Sequence, residues 1–156
     1  MKRILIALAA LLLAAGLLPA AEPVVSPEAA VMKAVNQFLD GFAKGDTKMI
    51  EAVIADQMAI LDEFPPHQWH GTGAFAQWMK AYDADAAKHG ITNGSVSAGK
   101  PSHIEINDDD AYVTMKANYS FKRRGKMEEE IGSMIIATLH KGTDGWRITG
   151  WAWAKR

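Results

Sequence analysis

The chain has 156 residues, a net charge of −1, five tryptophans, eight methionines and no cysteine. A charge this close to neutral argues against a nucleic-acid partner, which requires a basic surface, and the lack of cysteine excludes disulfides and a lipidated cysteine. About 135 residues remain once an N-terminal leader is removed, a length that suits one domain with a sizeable core.

The first 21 residues have the pattern of a secretory signal. Lys2 and Arg3 precede an apolar run over residues 4–18, and small residues separate that run from Glu22. The run is shorter than the roughly 20 residues that span a bilayer. We therefore predict a signal peptide at 1–21, a single domain at 22–156, a periplasmic or secreted location, and no membrane association after cleavage. An uncleaved N-terminal anchor is the alternative.

Helices are predicted in the first part of the remaining chain. Ser26 is the N-cap of a first helix that ends at Gly45, Asp46 caps a shorter second helix, and Thr72 caps a third that ends at Gly90. Apolar residues recur at helical spacing in all three. Their predicted buried faces are Val31, Ala34, Val35, Phe38 and Phe42, then Met49, Ile50, Val53 and Ile54, then Phe75, Trp78, Met79, Tyr82 and Ala86.

The apolar period changes from 3.6 to 2 in the second half of the chain, which predicts strands. The predicted strands are residues 58–64 before the third helix, then 92–106 as one or two strands, a hairpin of 111–122 and 127–140, and 146–154. A two-residue turn at Arg124-Gly125 would place Phe121 opposite Glu128. The basic residues 122–124 and the acidic residues 128–130 then predict cross-strand ion pairs at a solvated hairpin tip. Strict alternation would place Trp151 on one face of the last strand and Ile148 on the other.

Early helices and late antiparallel strands predict an α+β fold, with three N-terminal helices packed on a curved antiparallel sheet. Four segments carry a family likeness: 38–46, 58–62, Gly71-Thr72-Gly73, and 145–153. With these segments the chain resembles the nuclear transport factor 2-like superfamily, which includes ketosteroid isomerase and SnoaL-like polyketide cyclases. The resemblance implies a cone-shaped fold, an apolar pocket open at one end, and homodimers formed through the outer sheet face.

Asp62 is the first catalytic candidate. The resemblance places it where the isomerase has its general-base aspartate, and a carboxylate among Phe, Trp and Met side chains would have a raised pKa that suits proton transfer. His70 is the second candidate, as an acid, a base or a hydrogen-bond donor. The alternatives are an ordinary polar strand end for Asp62 and a loop histidine that holds a turn for His70.

The isomerase also requires donors that stabilise its enolate. The resemblance aligns its tyrosine with Phe38 and places its acid near Met134-Ile135-Ile136, none of which has a hydroxyl or carboxyl group. Authentic steroid isomerase activity is therefore not expected.

Aromatic and apolar side chains are predicted to line the pocket, although some of them must serve as plain core. These ligand-binding candidates are Phe38, Trp69, Trp78, Tyr82, Tyr119, Met134, Trp151 and Trp153. No cofactor is predicted, and no metal site, because His67 and His70 supply only two ligands.

Three functions remain open at this stage. The first is a binding protein for a small hydrophobic or aromatic molecule. The second is an isomerase, cyclase or lyase with Asp62 as its base. The third is a protein-interaction module with a vestigial pocket.

Overall fold

The computed structural model of the protein describes residues 25–156, and the predicted signal at 1–21 lies outside the described residues. The elements in chain order are α1 Pro27–Lys44, α2 Thr47–Glu51, β1 Ile54–Leu61, β2 Gln68–Thr72, α3 Ala74–His89, β3 Ile91–Asn107, β4 Asp110–Arg123, β5 Lys126–Gly142 and β6 Gly145–Ala154. This is an α+β fold, as predicted. The predicted layer of three N-terminal helices is not correct, because α2 has only 5 residues and α3 follows two strands.

The caps of the first two helices are those predicted from the sequence. The Ser26 hydroxyl accepts a hydrogen bond from the Ala29 amide at 3.2 Å. One Asp46 carboxylate oxygen accepts from the amides of Lys48 and Met49 at 3.1 and 3.2 Å. Gly45 ends α1 with a φ of 65°, a left-handed conformation that glycine adopts without steric cost.

The start of α3 differs from the prediction. Its N-cap is Gly73 without a side-chain hydrogen bond, whereas Thr72 is the last residue of β2 and accepts a hydrogen bond from Gln57 at 2.9 Å. No strand was predicted for β2 from the sequence. This edge strand has only one buried residue, Trp69, so it carries almost no apolar alternation.

The six strands form one mixed sheet in the order β2-β1-β6-β5-β4-β3. The predicted all-antiparallel sheet is wrong, because β1 pairs in parallel with β6. Alternation along a strand reports which residues are buried, but it does not report the direction of the neighbouring strand. Register shifts in β3, β4, β5 and β6 mark bulges, which bend strands and curve the sheet.

The β4–β5 hairpin has the predicted register, with Phe121 opposite Glu128. Its turn residues, Arg124 and Gly125, have φ values of 50° and 84°, as a two-residue hairpin turn of the I′ type requires. Arg123 donates to Glu128 at 2.9 Å across the same hairpin. The cross-strand ion pairing predicted for this tip is therefore confirmed.

A bulge in β6 overturns the predicted faces of the last strand. Thr138 pairs with Gly150, but the next residue of β5, Leu139, pairs with Ile148. The extra residue shifts the alternation by one. Ile148 and Trp151, which are 0% and 6% exposed, therefore both contribute to the core.

Helices α1 and α3 cover one face of the sheet, which we call the inner face, and no helix within residues 25–156 covers the opposite, outer face. The core lies between these layers, and its least exposed large side chains are Phe38, Ile50, Ile60, Met115, Leu139 and Ile148. The layers do not close completely at one end, where α1, α3 and the curved ends of β3 to β6 enclose a cavity.

Candidate functional site

The cavity has a volume of about 710 Å³, within the roughly 300–1,000 Å³ range of small-molecule sites. Aromatic side chains from both layers form much of its wall: Phe38, Phe42, Phe64, Trp78, Tyr82, Tyr119, Phe121, Trp151 and Trp153. Several of these rings pack on one another, such as Trp78 and Tyr82, which stack at 5.4 Å between ring centroids. The wall is therefore preformed and largely apolar.

Asp62 lies on this wall. It follows Leu61, the last residue of β1, which is 53% exposed on the outer face; alternation then directs the next side chain to the inner face. Trp78 donates its indole N–H to Oδ2 of Asp62 at 2.8 Å, and the Glu63 amide donates to Oδ1 at 2.7 Å. Both carboxylate oxygens are thereby held in place.

Burial raises the pKa of Asp62 to about 6. The hydrogen bonds from Trp78 and from the Glu63 amide oppose that rise, while the negative charges of Glu63 and Glu130 add to it. Asp62 is thus mainly ionised at neutral pH and binds a proton more readily than an exposed aspartate. A carboxylate with these properties suits proton transfer or the binding of a polar ligand group.

Replacing Trp78 with phenylalanine should raise the pKa of Asp62 above its present value of about 6. The indole bond stabilises the charged carboxylate, and a hydrogen bond to a charged group contributes about 1.5–3 kcal/mol. Carboxyl-carbon NMR across a pH titration measures this change. Trp69→Phe is the matched control, since Trp69 is buried but makes no bond to Asp62; an equal rise in that control would contradict the assigned cause.

A second polar feature of the wall is a tyrosine pair. The hydroxyls of Tyr82 on α3 and Tyr119 on β4 are 2.8 Å apart. Burial and the bond to Tyr82 raise the pKa of Tyr119, so its hydroxyl stays protonated. One hydroxyl of the pair donates to the other, and the remaining O–H is able to donate elsewhere.

Gly94 on β3 makes room for this pair, because a Cβ there would lie 2.5 Å from both hydroxyl oxygens. We expect Gly94→Ala to force the tyrosines apart and to destabilise the protein by about 1–3 kcal/mol. Urea unfolding measures the change. Gly99→Ala, on the same strand with its nearest contact at 3.9 Å, should change stability by no more than about 0.5 kcal/mol; equal costs would show that the tyrosine pair is not the cause.

A charged cluster lies where β6 ends. Lys155 bridges Glu63 at 2.8 Å and Glu130 at 2.7 Å, and Glu130 also accepts from Trp153 at 2.9 Å and from Ser133. Burial of Glu130 works against ionisation, but these bonds together hold its pKa below the usual range. The cluster joins the ends of β1, β5 and β6 beside Asp62.

Most of the predicted ligand-binding residues lie on the cavity wall: Phe38, Trp78, Tyr82, Tyr119, Trp151 and Trp153. Two do not. Trp69 is 5% exposed and packs on Phe64 in the core next to the cavity. Met134 alternates with the buried residues Ser133 and Ile135, so it lies on the outer face.

The structure does not bring His70 to Asp62. His70 pairs with Ala59 on the outer face and is exposed, whereas its neighbour Trp69 points inward. His70 is therefore not positioned to act together with Asp62. Among residues 25–156, no group of three or more His, Asp or Glu side chains is placed to hold a metal ion.

Sequence reasoning missed several residues of the site. Phe42 belongs to the predicted stripe of α1 but was not named as a wall residue, and Glu130 was assigned to the solvated hairpin tip. The hairpin register contains the missing signal for Glu130, because it places this residue opposite Tyr119. Lys155 carried no signal in the sequence; its role follows from the parallel pairing of β1 with β6.

Residues 31–152 match the family described as the SnoaL-like domain. No curated protein matches the sequence. Many solved structures are similar to this chain, and three of them illustrate the shared fold. The first is a nuclear transport factor 2-like superfamily protein from Salmonella enterica, at 14% identity and a TM-score of 0.67, covering 83% of this chain and 93% of that one.

The second is a nuclear transport factor 2-like protein with a cystatin-like fold from Novosphingobium aromaticivorans, at 12% identity and a TM-score of 0.64, covering 82% of this chain and 80% of that one. The third is a ketosteroid isomerase-like protein from Erwinia carotovora atroseptica, at 14% identity and a TM-score of 0.63, covering 81% of this chain and 94% of that one. Identities this low carry the fold and no activity.

Proposed function

The chain belongs to the SnoaL-like domain family of the nuclear transport factor 2-like superfamily. We propose that it binds a small apolar or aromatic molecule in its cavity. The observation that carries the proposal is an aromatic-walled space of about 710 Å³ with the carboxylate of Asp62, which is hydrogen-bonded to Trp78, on its wall. Aromatic walls hold flat apolar ligands through contact area and stacking, and a single polar group fixes their orientation.

Isothermal titration calorimetry with 1-naphthylmethanol tests this proposal. We expect saturable binding at one site per chain. Ala86→Trp, which fills the cavity from α3, should weaken binding at least tenfold. Ala87→Trp is the matched control, because Ala87 is exposed on the same helix and does not line the cavity; equal effects of the two variants, or no binding at all, would refute the proposal.

A second candidate function is proton transfer at carbon by Asp62. It is favoured by the pKa of about 6 and by the apolar surroundings of this carboxylate. The base would remove a proton next to a ligand carbonyl, and the tyrosine pair has one O–H left to hydrogen-bond the resulting enolate oxygen.

Deuterium exchange at the methyl group of 1-acetonaphthone in D₂O, followed by NMR, tests the catalytic candidate. Wild type should accelerate the exchange over buffer, and Asp62→Asn should lose at least 100-fold of that acceleration. His70→Asn, on the outer face, should exchange like wild type. No acceleration by wild type would leave ligand binding as the function.

We further propose that the protein pairs through its outer sheet face. Leu61, Ala152 and Ile136 lie side by side across three strands there, and Leu61 is 53% exposed. Analytical ultracentrifugation at micromolar concentration should give twice the mass of one chain, and Leu61→Glu should give the monomer. A monomeric wild type would contradict this.

The secretory pattern of residues 1–21 also leads us to propose a periplasmic or extracellular location. None of the described helices is long and apolar enough to cross a membrane. N-terminal sequencing of protein recovered from the periplasmic fraction should begin near Glu22; recovery of the full-length chain from the membrane fraction would favour an uncleaved anchor.

A further inference from the structure

The charged residues on the cavity wall are predominantly acidic. The acidic residues are Asp62, Glu63, Asp83, Asp85 and Glu130. The basic residues are Arg123 and Lys155, and His89 is also titratable. Such an excess of carboxylates on a largely apolar wall attracts positively charged ligands and repels anions.

The two permanent cations already have partners. Lys155 is shared between Glu63 and Glu130, and Arg123 pairs with Glu128 at 2.9 Å. His89 pairs with Asp85 at 3.1 Å when it is protonated. None of these groups neutralises Asp62.

Asp62 has only neutral hydrogen-bond donors. Its oxygens accept from the Trp78 indole and the Glu63 amide, and no ion pair with Asp62 occurs in the described part of the chain. A partly buried carboxylate without a counter-charge is costly. A positive charge placed beside it gains a Coulombic attraction that solvent screens weakly.

The rings next to Asp62 favour an apolar group on the same ligand. Trp78, which donates to the carboxylate, stacks on Tyr82 with ring planes at 20°, and Trp151 lies edge-to-face with Trp78 at 4.9 Å. These rings give an apolar group aromatic surface to pack against directly beside the carboxylate. The carboxylate of Asp62 suits the ammonium group of an amine, and the rings suit an apolar group attached to it.

We propose that the cavity takes a small organic cation: an amine whose ammonium group lies beside Asp62 and whose apolar part lies among Trp78, Tyr82 and Trp151. This inference rests on the proposed binding function and names the chemical class of its ligand.

Three probes with the same naphthyl group test it by calorimetry at pH 7.5: 1-naphthylmethylamine, which is cationic, 1-naphthylmethanol, which is neutral, and 1-naphthoate, which is anionic. Wild type should bind the amine at least tenfold more tightly than the alcohol, and the anion most weakly. Asp62→Asn should reduce the preference for the amine to less than threefold, and Asp62→Glu should retain it.

Asp56→Asn is the matched control, because it removes an exposed acid of β1 that does not line the cavity; its preference for the amine should equal that of wild type. If wild type binds the alcohol as tightly as the amine, the cation inference is wrong and the proposed binding function stands. A preference that survives in Asp62→Asn would overturn the assignment to Asp62. If none of the probes binds, both proposals fail.

Discussion

Asp62→Asn is expected to stabilise the protein by about 2 kcal/mol at pH 7.5, although it removes a residue of the site. The pKa of Asp62 rises from 3.8 to about 6 on folding, and each pKa unit corresponds to about 1.4 kcal/mol. Ionised Asp62 therefore costs the folded state about 3 kcal/mol. Asparagine has no charge and avoids this cost. It accepts one hydrogen bond fewer, however, and this loss lowers the stability of the variant by about 1 kcal/mol.

The pH dependence of this effect has a definite sign. Between pH 3.8 and about 6 the folded protein holds the Asp62 proton while the unfolded chain has lost it. Since stability falls with pH wherever the folded state binds more protons, wild type loses stability through this window as pH rises. Near the lower end of this window most of the Asp62 side chains are protonated in the folded state and many are in the unfolded chain, so the advantage of Asp62→Asn should be largely lost at pH 4.

Urea unfolding at pH 4 and pH 7.5 measures the difference. The control is again Asp56→Asn, which should change stability by no more than about 0.5 kcal/mol at either pH because its side chain is exposed. If Asp62→Asn is less stable than wild type at pH 7.5, the ionised carboxylate does not lower the free energy of unfolding and this prediction is wrong. Functional sites typically contain groups that lower the stability of the folded protein.

Phe38→Ala is expected to cost about 3–5 kcal/mol of folding free energy, the largest effect of any substitution considered for this protein. Phe38 is 2% exposed. Its ring meets Phe42 edge-to-face at 4.9 Å and Trp151 at 6.0 Å, so truncation removes both buried area and aromatic contacts. The rigid neighbouring rings prevent the wall from closing over the space.

Urea unfolding of Phe38→Ala and Phe38→Leu tests this expectation. Leucine keeps much of the volume and should cost less than about 1.5 kcal/mol. The alanine variant should also bind 1-naphthylmethanol more weakly, because the wall loses one of its faces. A cost below 1 kcal/mol for alanine, with unchanged binding, would place Phe38 outside the core and the wall alike.

The family resemblance gave the expected place of Asp62 at the end of the first strand, but nothing in the sequence predicted its hydrogen-bond partners. The bond from Trp78 joins residues 16 positions apart, and only the packing of α3 on the sheet makes it. His70 failed as a partner because β2, unrecognised in the sequence, turns its side chain to the outer face.

Local patterns were enough to predict the caps of α1 and α2, the apolar stripes of α1 and α3, the β4–β5 register and the α+β class. The stripe predicted for the second helix was wrong in part, because α2 ends at Glu51 and Ile54 begins β1. Three features could not be predicted from local patterns and were seen only in the folded chain. They are the parallel pairing of β1 with β6, the bulge that turns Trp151 and Ile148 to one face, and the bridge from Lys155 to Glu63 and Glu130. These depend on contacts between distant segments, which a local pattern does not encode. The cavity also depends on such contacts, because its wall residues lie between positions 38 and 155 and meet only when the helices pack on the curved sheet.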